Sequence, residues 1–406
     1  MRKCRICDSP IESFMSFGKM PIANGFLSPE QFSDEYFFEL RPAFCQNCTM
    51  MQLIEQPSPQ KMFHENYAFF SSTSQRMAVH FKEFADHVKR DYLTSSNPFV
   101  IELGCNDGIM LQHFAHSGIR HLGIEPSVNV AKAANEKGVQ TISEFFNENT
   151  AQDILGKYGQ ADAFLAANVM CHIADFNSVI AGIKTLVRRD GIVMFEDPYL
   201  GDVIEKTSYD QIYDEHVFLF SLSSIKYAFE QYDMELVDVE PQSTHGGSMR
   251  YIVSHKGVRE VSENVYVHLE KEKAMGLNKP KTYDAFRKNC EESRDSLKQL
   301  LININNRCKR VVGYAATSKS TTILNYCGIG PDLIEFISDT TPIKQGKFSP
   351  GMHIPVRAYE EFAANYPYYA VLFAWNHAEE IMAKEKRFKA VGGKWIVFVP
   401  EVKVIE

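Results

Sequence analysis

The feature that most constrains the fold is an alternation of short apolar segments with amphipathic stretches between residues 75 and 255. We interpret the apolar segments as strands and the stretches between them as helices. Such an alternation predicts an α/β domain with helices on both faces of a mostly parallel sheet. The predicted strands are 99–103, 121–124, 163–167, 191–196, 235–239 and 249–254.

A second alternation follows a charged stretch at 259–306, whose pattern is helical. Its predicted strands are 310–315, 333–338, 370–375 and 394–399. We interpret this part as a separate, smaller α/β unit with a similar, Rossmann-like plan. Together with the cysteine-bearing start of the chain, it predicts three domains, at 1–62, 63–258 and 259–406.

Charge and hydrophobicity argue against two classes of partner. The 406 residues include 43 Lys and Arg against 51 Asp and Glu, a net charge of −8, whereas nucleic-acid-binding proteins usually carry a basic surface. The longest apolar run, 368–375, is far shorter than the about 20 residues of a spanning helix. The first residues resemble no secretory signal. We therefore expect a cytoplasmic protein with neither nucleic acid nor membrane as a partner.

Two CxxC pairs, Cys4 with Cys7 and Cys45 with Cys48, indicate a metal site. Each pair directs two thiolates toward one point, and two pairs complete a tetrahedral four-sulfur site for zinc. Because all four positions are sulfur, no coordination position stays open and the predicted zinc is structural. The alternatives are four unrelated thiols or a redox-active CxxC, and neither pair follows a strand of a thioredoxin-like unit.

The strand at 99–103 contains Glu102 and runs into a loop with Gly104 and Gly108. Gly104 permits a tight turn, and Gly108 permits a close approach of a ligand to the backbone. The segment resembles motif I of class I S-adenosylmethionine-dependent methyltransferases, with Asn106 in place of the central glycine. The rival ligand, NAD, would require the pattern Gly-x-Gly-x-x-Gly, which this spacing does not match.

Further positions are predicted to contact the cofactor. Glu125 ends the second predicted strand, where a carboxylate suits the two hydroxyls of a ribose. We expect the adenine near Phe145, between the strands predicted at 121–124 and 163–167, and the methionine end near Asn168, at the tip of the strand 163–167. The carboxylate of Glu102 suits the positive amine of the methionine. The alternative for Phe145 is an ordinary core residue.

The segment after the strand predicted at 191–196 carries Tyr213, Glu215 and His216. If it is helical, Tyr213 and His216 lie three residues apart on one face. An unperturbed histidine titrates at about pH 6.5, so His216 is a candidate general base, which a neighbouring Tyr or Glu can orient. The alternative is a buried histidine in an aromatic-rich helix.

Taken together, these motifs make the chain resemble the S-adenosylmethionine-dependent C-methyltransferases that act on nucleotide-linked 4-keto-deoxyhexoses and carry an N-terminal zinc-binding domain. The resemblance covers nearly the whole length and is most specific at Tyr-Asp-Glu-His, 213–216, and His-Gly-Gly-Ser-Met-Arg, 245–250. It implies methylation at C3 of the sugar, next to the C4 ketone, through an enolate. The residues it places in catalysis are His216 as the base and, as polar partners, Tyr67, His172, Tyr213 and Glu215.

Two segments are predicted to contact the substrate. Through the resemblance, the His-Gly-Gly-Ser element contributes His245, Ser248 and Arg250. The polar loop at 315–322 contributes hydroxyls, backbone N–H groups and Lys319 at a helix N-terminus, which predict an anion site for the sugar's diphosphate. The alternative for this loop is a polar helix cap with a solvated lysine.

Two other classes of function stay open on the sequence alone. An O- or N-methyltransferase of a small metabolite needs no carbon base, so replacement of His216 would cost it little. A non-catalytic, zinc-containing scaffold protein would keep the fold without turnover. The intact set of Glu102, Gly104, Gly108 and Glu125 speaks against the scaffold.

Overall fold

The N-terminal segment consists of short strands and two cysteine-bearing turns. The structure, a computed structural model, describes residues 2–62 and 71–406. The elements of this segment are β1 (Arg2–Lys3), β2 (Pro10–Ser13), β3 (Lys19–Pro21), β4 (Phe37–Glu39), β5 (Pro42–Phe44), β6 (Met51–Leu53) and α1 (Pro59–Met62). β1, β2, β5 and β6 pair antiparallel in that order, and β3 pairs with β4. With strands this short, the segment depends on the cross-link that its cysteines can form through a metal.

The middle segment forms a seven-stranded sheet. Its elements are α2 (Gln75–Asp91), β7 (Phe99–Leu103), α3 (Gln112–Ala115), β8 (Arg120–Ile124), α4 (Val128–Glu136), β9 (Thr141–Ile142), α5 (Glu148–Tyr158), β10 (Ala161–Ala167), α6 (Phe176–Leu186), β11 (Val187–Pro198), α7 (Leu200–Lys206), β12 (Phe218–Leu219), α8 (Leu222–Glu230), β13 (Met234–Gln242) and β14 (Ser248–His255). The strand order is β13-β14-β11-β10-β7-β8-β9. β14 is antiparallel to both neighbours, and the other pairs are parallel. The predicted mostly parallel sheet is confirmed.

Alternate residues of the central strands face opposite layers of helices. On β10, Phe164 belongs to a buried cluster that includes Ile183 of α6. Its neighbour Leu165 belongs to a second cluster, which includes Phe84 of α2 and Phe114 of α3. Side chains alternate between the faces of a strand, so covering both faces with helices requires a continuous apolar run. This explains the continuous apolar run 163–166 at the centre of β10.

Polar side chains cap the N-termini of four helices in this segment. The capping side chains are Ser74 for α2, Asn147 for α5, Asp175 for α6 and Ser221 for α8, and each accepts from a backbone N–H of the first helical turn. Because β7, β8, β10 and β11 are parallel, their carboxyl ends meet at one edge of the sheet. Ligands of open α/β sheets bind at that edge.

The C-terminal segment forms a second α/β unit, as predicted. Its elements are α9 (Glu263–Met275), α10 (Pro280–Asn305), β15 (Val311–Tyr314), α11 (Ser318–Cys327), β16 (Ile337–Ser338), β17 (Val356–Arg357), α12 (Tyr359–Ala364), β18 (Tyr369–Leu372), α13 (Ala378–Lys384), α14 (Lys386–Ala390), β19 (Lys394–Val397) and β20 (Lys403–Ile405). The order is β17-β16-β15-β18-β19-β20, parallel except for β20.

One short strand of the middle segment joins the N-terminal sheet. β12 pairs antiparallel with β6, with Phe218 opposite Gln52 and Leu219 opposite Met51. The N–H of Leu53 also donates to the carbonyl of Val217, at 2.8 Å. The chain directly after His216 is therefore fixed to the cysteine-bearing segment.

Some local predictions differ from the structure. The strand predicted at 333–338 is reduced to β16, because the residues before it form turns that close onto Gly330. The strand predicted at 370–375 ends with β18, and a 3₁₀ turn follows at Trp375–His377. Among the described residues, no helix combines the length and the apolar content needed to cross a bilayer.

Candidate active site

The four predicted metal ligands lie together in the N-terminal segment. The Sγ atoms of Cys4, Cys7, Cys45 and Cys48 all lie within 4.8 Å of one another. Those of Cys4 and Cys48 are 3.5 Å apart, as are those of Cys7 and Cys45. Tetrahedral zinc with Zn–S bonds of about 2.3 Å separates its sulfur atoms by ~3.8 Å. The observed spacing therefore fits a zinc ion.

Local hydrogen bonds favour negative charge on Sγ of Cys4. The N–H of Ile6 donates to Sγ of Cys4 at 3.4 Å, and Nε2 of Gln52 donates to the same atom at 3.0 Å. Hydrogen bonds from Cys45 and Cys48 hold the pKa of the Cys4 thiol below its ordinary value. Four sulfur ligands with no open position suit a structural ion rather than a catalytic one.

Both glycines of the predicted cofactor loop adopt a left-handed backbone conformation. Gly104 has φ +65°, and a Cβ there would lie 2.6 Å from Cγ2 of Val169. Gly108 has φ +77°, and a Cβ there would lie 3.0 Å from Cγ2 of Val139. Only glycine avoids both the strain and the contact. The loop therefore packs closely at the carboxyl edge of the sheet, where the predicted cofactor binds.

Two buried oxygen atoms at this edge have no hydrogen-bond partner among the described residues, namely Oε2 of Glu102 and Oδ1 of Asn168. Burial holds the pKa of Glu102 well above its ordinary value. An unsatisfied buried polar atom costs about 1–3 kcal/mol, and an ammonium group is a donor with the charge that a carboxylate requires. The residues present therefore fit the methionine end of S-adenosylmethionine, which Glu102 and Asn168 would hold.

Glu125 lies directly after β8, and its carboxylate is fixed by two backbone groups. Oε2 accepts from the N–H of Asn106 at 3.1 Å, and Oε1 accepts from the N–H of Ser127 at 2.8 Å. Each carboxylate oxygen has a second acceptor direction, so the group is held in place and still able to bind ribose hydroxyls. The contact of Glu125 with the ribose stays a prediction.

The two neighbouring phenylalanines near the predicted adenine site differ in exposure. Phe146 is buried, and its ring centroid lies 5.4 Å from that of Phe164. Phe145 is 41% exposed. Phe146 is thus a core residue, while Phe145 presents an open aromatic ring, and its contact with adenine stays a prediction.

Replacement of Glu125 by Ala is expected to weaken binding of S-adenosylmethionine by about 1–3 kcal/mol, because a charged hydrogen-bond partner is lost. Titration calorimetry with the donor measures this directly. Glu136→Ala, which removes an exposed carboxylate from the end of α4, is the matched control and should bind normally. Unchanged affinity in Glu125→Ala would remove this residue from the ribose role.

The residues that precede α2 cover the cofactor loop. The N–H of Ser71 donates to Oδ1 of Asn106 at 3.0 Å, and the N–H of Ser72 donates to Oδ2 of Asp107 at 3.3 Å. Tyr67, a predicted catalytic partner, lies outside the described residues. Its proposed role therefore stays a prediction.

Tyr213 and His216 are brought together by a turn, not by a helix. The N–H of His216 donates to the carbonyl of Tyr213 at 3.0 Å. Oη of Tyr213 lies 2.9 Å from Nε2 of His216, and Nδ1 of His216 lies 2.8 Å from the carbonyl oxygen of Gln211. Because a carbonyl only accepts, Nδ1 carries the ring proton and Nε2 carries the lone pair, which accepts from the phenol. The imidazole thus offers Nε2 as a base.

Burial sets the protonation state of this pair. His216 is 6% exposed and Tyr213 is 8% exposed. Burial holds the pKa of His216 well below its ordinary value and raises the pKa of Tyr213 well above its own. At neutral pH the imidazole is therefore uncharged and the phenol keeps its proton.

Two other predicted catalytic residues adjoin this pair. The ring of His172 stacks on that of His216, with centroids 5.3 Å apart and planes at 25°. Burial lowers the pKa of His172 to about 4. Glu215 accepts from Nδ2 of Asn24 at 2.6 Å. Asn24 was not predicted as a site residue, although it lies in the Met-Pro-Ile-Ala-Asn element that the resemblance includes.

The His-Gly-Gly-Ser element lies beside β14, but two of its predicted substrate residues are engaged within the protein. The guanidinium of Arg250 donates to Glu196 and Glu240 at 3.0 Å each. Oγ of Ser248 donates to the carbonyl of Thr244 at 3.2 Å. Contacts of Arg250 and Ser248 with substrate stay predictions.

His245 and Lys319 connect the methyltransferase sheet to the C-terminal unit. His245 has a left-handed backbone, φ 55°, and its carbonyl accepts from Nζ of Lys319 at 3.2 Å. Lys319 is buried near Asp210, and burial lowers the pKa of the lysine. The ring of Trp375 lies 5.5 Å from Nζ. This cation is thus held at the cleft between the two α/β units.

Two hydroxyls of the 315–322 segment, those of Thr321 and Thr322, are engaged within the protein. Thr321 donates to the carbonyl of Ala23 at 2.9 Å, and Thr322 donates to the carbonyl of Ile212 at 3.0 Å. Because carbonyls occupy these donors, the hydroxyls join α11 to the N-terminal segment and to the catalytic turn. The prediction of an anion site therefore rests on Lys319 rather than on the two threonines.

Family models match three parts of the chain. A zinc binding domain matches residues 4–63, a methyltransferase domain residues 77–239, and the C-methyltransferase C-terminal domain residues 243–400. These matches and the cofactor edge define an S-adenosylmethionine-dependent methyltransferase of class I, with a Rossmann-like domain, a small zinc-binding domain and a second α/β domain.

One curated relative spans the whole chain. C-methyltransferase NovU of Streptomyces niveus is 34% identical over 408 residues, which cover 99% of this chain and 96% of the relative. The chain therefore belongs to the C-methyltransferase family. This membership favours carbon as the methyl acceptor over the O- or N-methyltransferase and the scaffold alternatives.

Solved structures are similar to part of the chain. Magnesium protoporphyrin IX methyltransferase of Synechocystis PCC 6803, with bound S-adenosylhomocysteine, is 14% identical, covers 43% of this chain and 82% of its own, and has a TM-score of 0.35. An S-adenosylmethionine-dependent methyltransferase of Anabaena variabilis is 15% identical, covers 44% and 86%, and has a TM-score of 0.35. At these scores neither likeness bears on substrate or mechanism.

Proposed function

We propose that this C-methyltransferase methylates C3 of a nucleotide-diphosphate sugar that carries a ketone at C4. The observation that supports it is the buried, neutral imidazole of His216, whose Nδ1–H is fixed by Gln211 and whose Nε2 accepts from Tyr213. A C–H bond beside a ketone is only weakly acidic, so its methylation needs a base and donors for the enolate oxygen. Substrate that enters between the two side chains would replace their mutual hydrogen bond, and the pair would then supply one of each.

In the proposed reaction, Nε2 of His216 removes the proton from C3, and the electron pair of that C–H bond forms the enolate. The phenol of Tyr213 keeps its proton and is a donor for the enolate oxygen. The ring of His172 lies against that of His216. Bound S-adenosylmethionine supplies an electrophilic methyl group on a sulfonium. The enolate carbon would be the nucleophile for that group, whose bond to sulfur breaks to leave S-adenosylhomocysteine, and Glu102, Glu125 and Asn168 would hold the donor so that both reactants are aligned.

Two lysines, Lys319, which is buried, and Lys344, which is half-buried, support a diphosphate on the substrate. Nζ of Lys344 donates to the carbonyl of Ala316 at 2.8 Å, in the loop that leads to Lys319. Removal from water disfavours the charged form and lowers the pKa of both lysines. A diphosphate would offset this cost with strong charge-assisted hydrogen bonds. We therefore assign the C-terminal domain, 259–406, a part in binding the nucleotide sugar.

The test is turnover with isotopically labelled donor and a panel of 4-keto nucleotide sugars. The expected product is heavier by one methyl group, with the new carbon at C3 by NMR. The same sugars without the nucleoside diphosphate are the control, and they should react poorly. A methyl group found on oxygen or nitrogen, or no reaction with any 4-keto nucleotide sugar, would contradict the proposal.

The pH dependence of kcat/KM follows from the depressed pKa of His216. Burial, and next the neighbouring His172, favour the neutral base. A base that stays unprotonated keeps working as the pH falls, so activity should hold through about pH 6.5 and decline only well below it. Initial rates at saturating donor across the acid range measure this. An acid limb centred at or above the ordinary histidine pKa would contradict the assignment.

A further inference from the structure

Gln56 of the zinc-binding segment touches both loops that carry the catalytic histidines. Its Nε2 donates to the carbonyl of His172 at 3.1 Å and to the carbonyl of Asp214 at 3.2 Å. His172 follows β10, whereas Asp214 precedes His216 in the turn between α7 and β12. One side-chain amide therefore bridges two loops whose bonded carbonyls, of His172 and Asp214, are 42 residues apart along the chain.

The backbone that presents Gln56 is fixed on both sides. The residue lies shortly after β6, which pairs with β12, and the N–H of Leu53 donates to the carbonyl of Val217. Pro57 follows it and restricts its backbone to extended conformations. The amide is thus positioned by the zinc-binding segment rather than by the loops that it joins.

We propose that Gln56 is a positioning residue for carbon methylation, which sets the spacing of the His172 and His216 loops and thereby couples the zinc-binding domain to catalysis. The inference rests on the proposed function, because it takes His216 as the base. A primary amide has two N–H donors in a fixed plane, so it holds two carbonyls at a set separation. The imidazoles on those loops stack at 5.3 Å, and an error of about 1 Å in such a site costs about 100-fold in rate.

Substitutions at Gln56 separate positioning from simple packing. Gln56→Glu keeps the shape but places a carboxylate oxygen against two carbonyls, whereas Gln56→Ala removes the side chain and lets water bind them. Positioning predicts a kcat loss of about tenfold to 100-fold in Gln56→Glu and a smaller loss in Gln56→Ala, with KM for the sugar and affinity for the donor within about threefold. A packing role predicts the reverse order, because Glu is the closer isostere.

Gln60→Glu is the matched control, since it adds the same charge to an exposed position of α1. It should retain wild-type kcat. Wild-type kcat in Gln56→Glu, an equal loss in the control, or a loss that follows thermal stability would overturn the proposal. If His216→Asn is inactive while both Gln56 variants are normal, the positioning role fails and the proposed function stands.

A second measurement needs no substrate. The imidazole NMR signals of His172 and His216, assigned through their substitution, should shift in Gln56→Glu and stay unchanged in Gln60→Glu. Unmoved signals in Gln56→Glu would overturn the positioning role even if the enzyme acts on a different sugar.

Discussion

The His216→Asn enzyme is expected to lose about 10²- to 10⁴-fold in kcat while it folds and binds S-adenosylmethionine normally. Asn retains a polar side chain of similar reach but has no lone pair basic enough to accept a proton from carbon. The hydrogen bond that Nδ1 makes to the carbonyl of Gln211 shows that the lone pair of the wild-type ring lies at Nε2, on the side of Tyr213. Turnover with the 4-keto sugar and calorimetry with the donor measure the two effects separately.

Deuterium exchange at C3 identifies the step that is lost. The wild-type enzyme should exchange the α-proton of the substrate with solvent when a non-reactive donor analogue is bound, and His216→Asn should not. Tyr213→Phe should fall between the two, because the base remains and only a donor is removed. His268→Asn, at a half-buried position of α9, is the control and should behave as wild type. Normal turnover and exchange in His216→Asn would move the search for the base to His172 or Tyr67.

The sheet could be predicted because its strands carry their own signal. Except for Glu102, the run at 99–103 is apolar on both faces, since helices cover both, and it coincides with β7. The cysteine pairs were equally readable, because the spacing of a CxxC pair is set by local geometry alone. The combination of Tyr213 and His216 was predicted by helical spacing and is produced by a turn, which also places residues three apart side by side.

Contacts between distant segments could not be predicted in the same way. Nothing in the local pattern of Thr321 and Thr322 distinguishes donors for a ligand from donors for Ala23 and Ile212. Gln56 lies in a loop without a motif, and its two acceptors are backbone carbonyls, which every residue has. Such contacts depend on which loops the fold brings together. That depends on the order of all the strands in the sheets, which no local sequence pattern reveals.

The zinc site is expected to stabilise the N-terminal segment. Freshly purified protein should contain about one zinc per chain, and Cys48→Ser should lose it together with the order of the N-terminal segment. Structural zinc contributes about 10–16 kcal/mol of apparent binding free energy in small zinc peptides, which rivals the ~5–15 kcal/mol net stability of a typical domain. Among the described residues, the apolar side chains of this segment form no separate core but join the one shared with the middle segment, so the metal is the cross-link internal to the segment.

The loss should extend from the metal to turnover but not to donor binding. Cys48 is followed by β6, and β6 holds β12 and the chain after His216, so disorder there reaches the catalytic turn. The residues predicted to bind the donor belong to the other sheet, so calorimetry should find donor affinity within about threefold of wild type.

Metal analysis, thermal unfolding and turnover complete the measurement. Cys308→Ser, at an exposed cysteine, is the control that should change none of them. Zinc-free protein with wild-type unfolding and turnover would contradict a structural ion, whereas lost donor affinity would show that the metal supports the whole molecule rather than its catalytic turn.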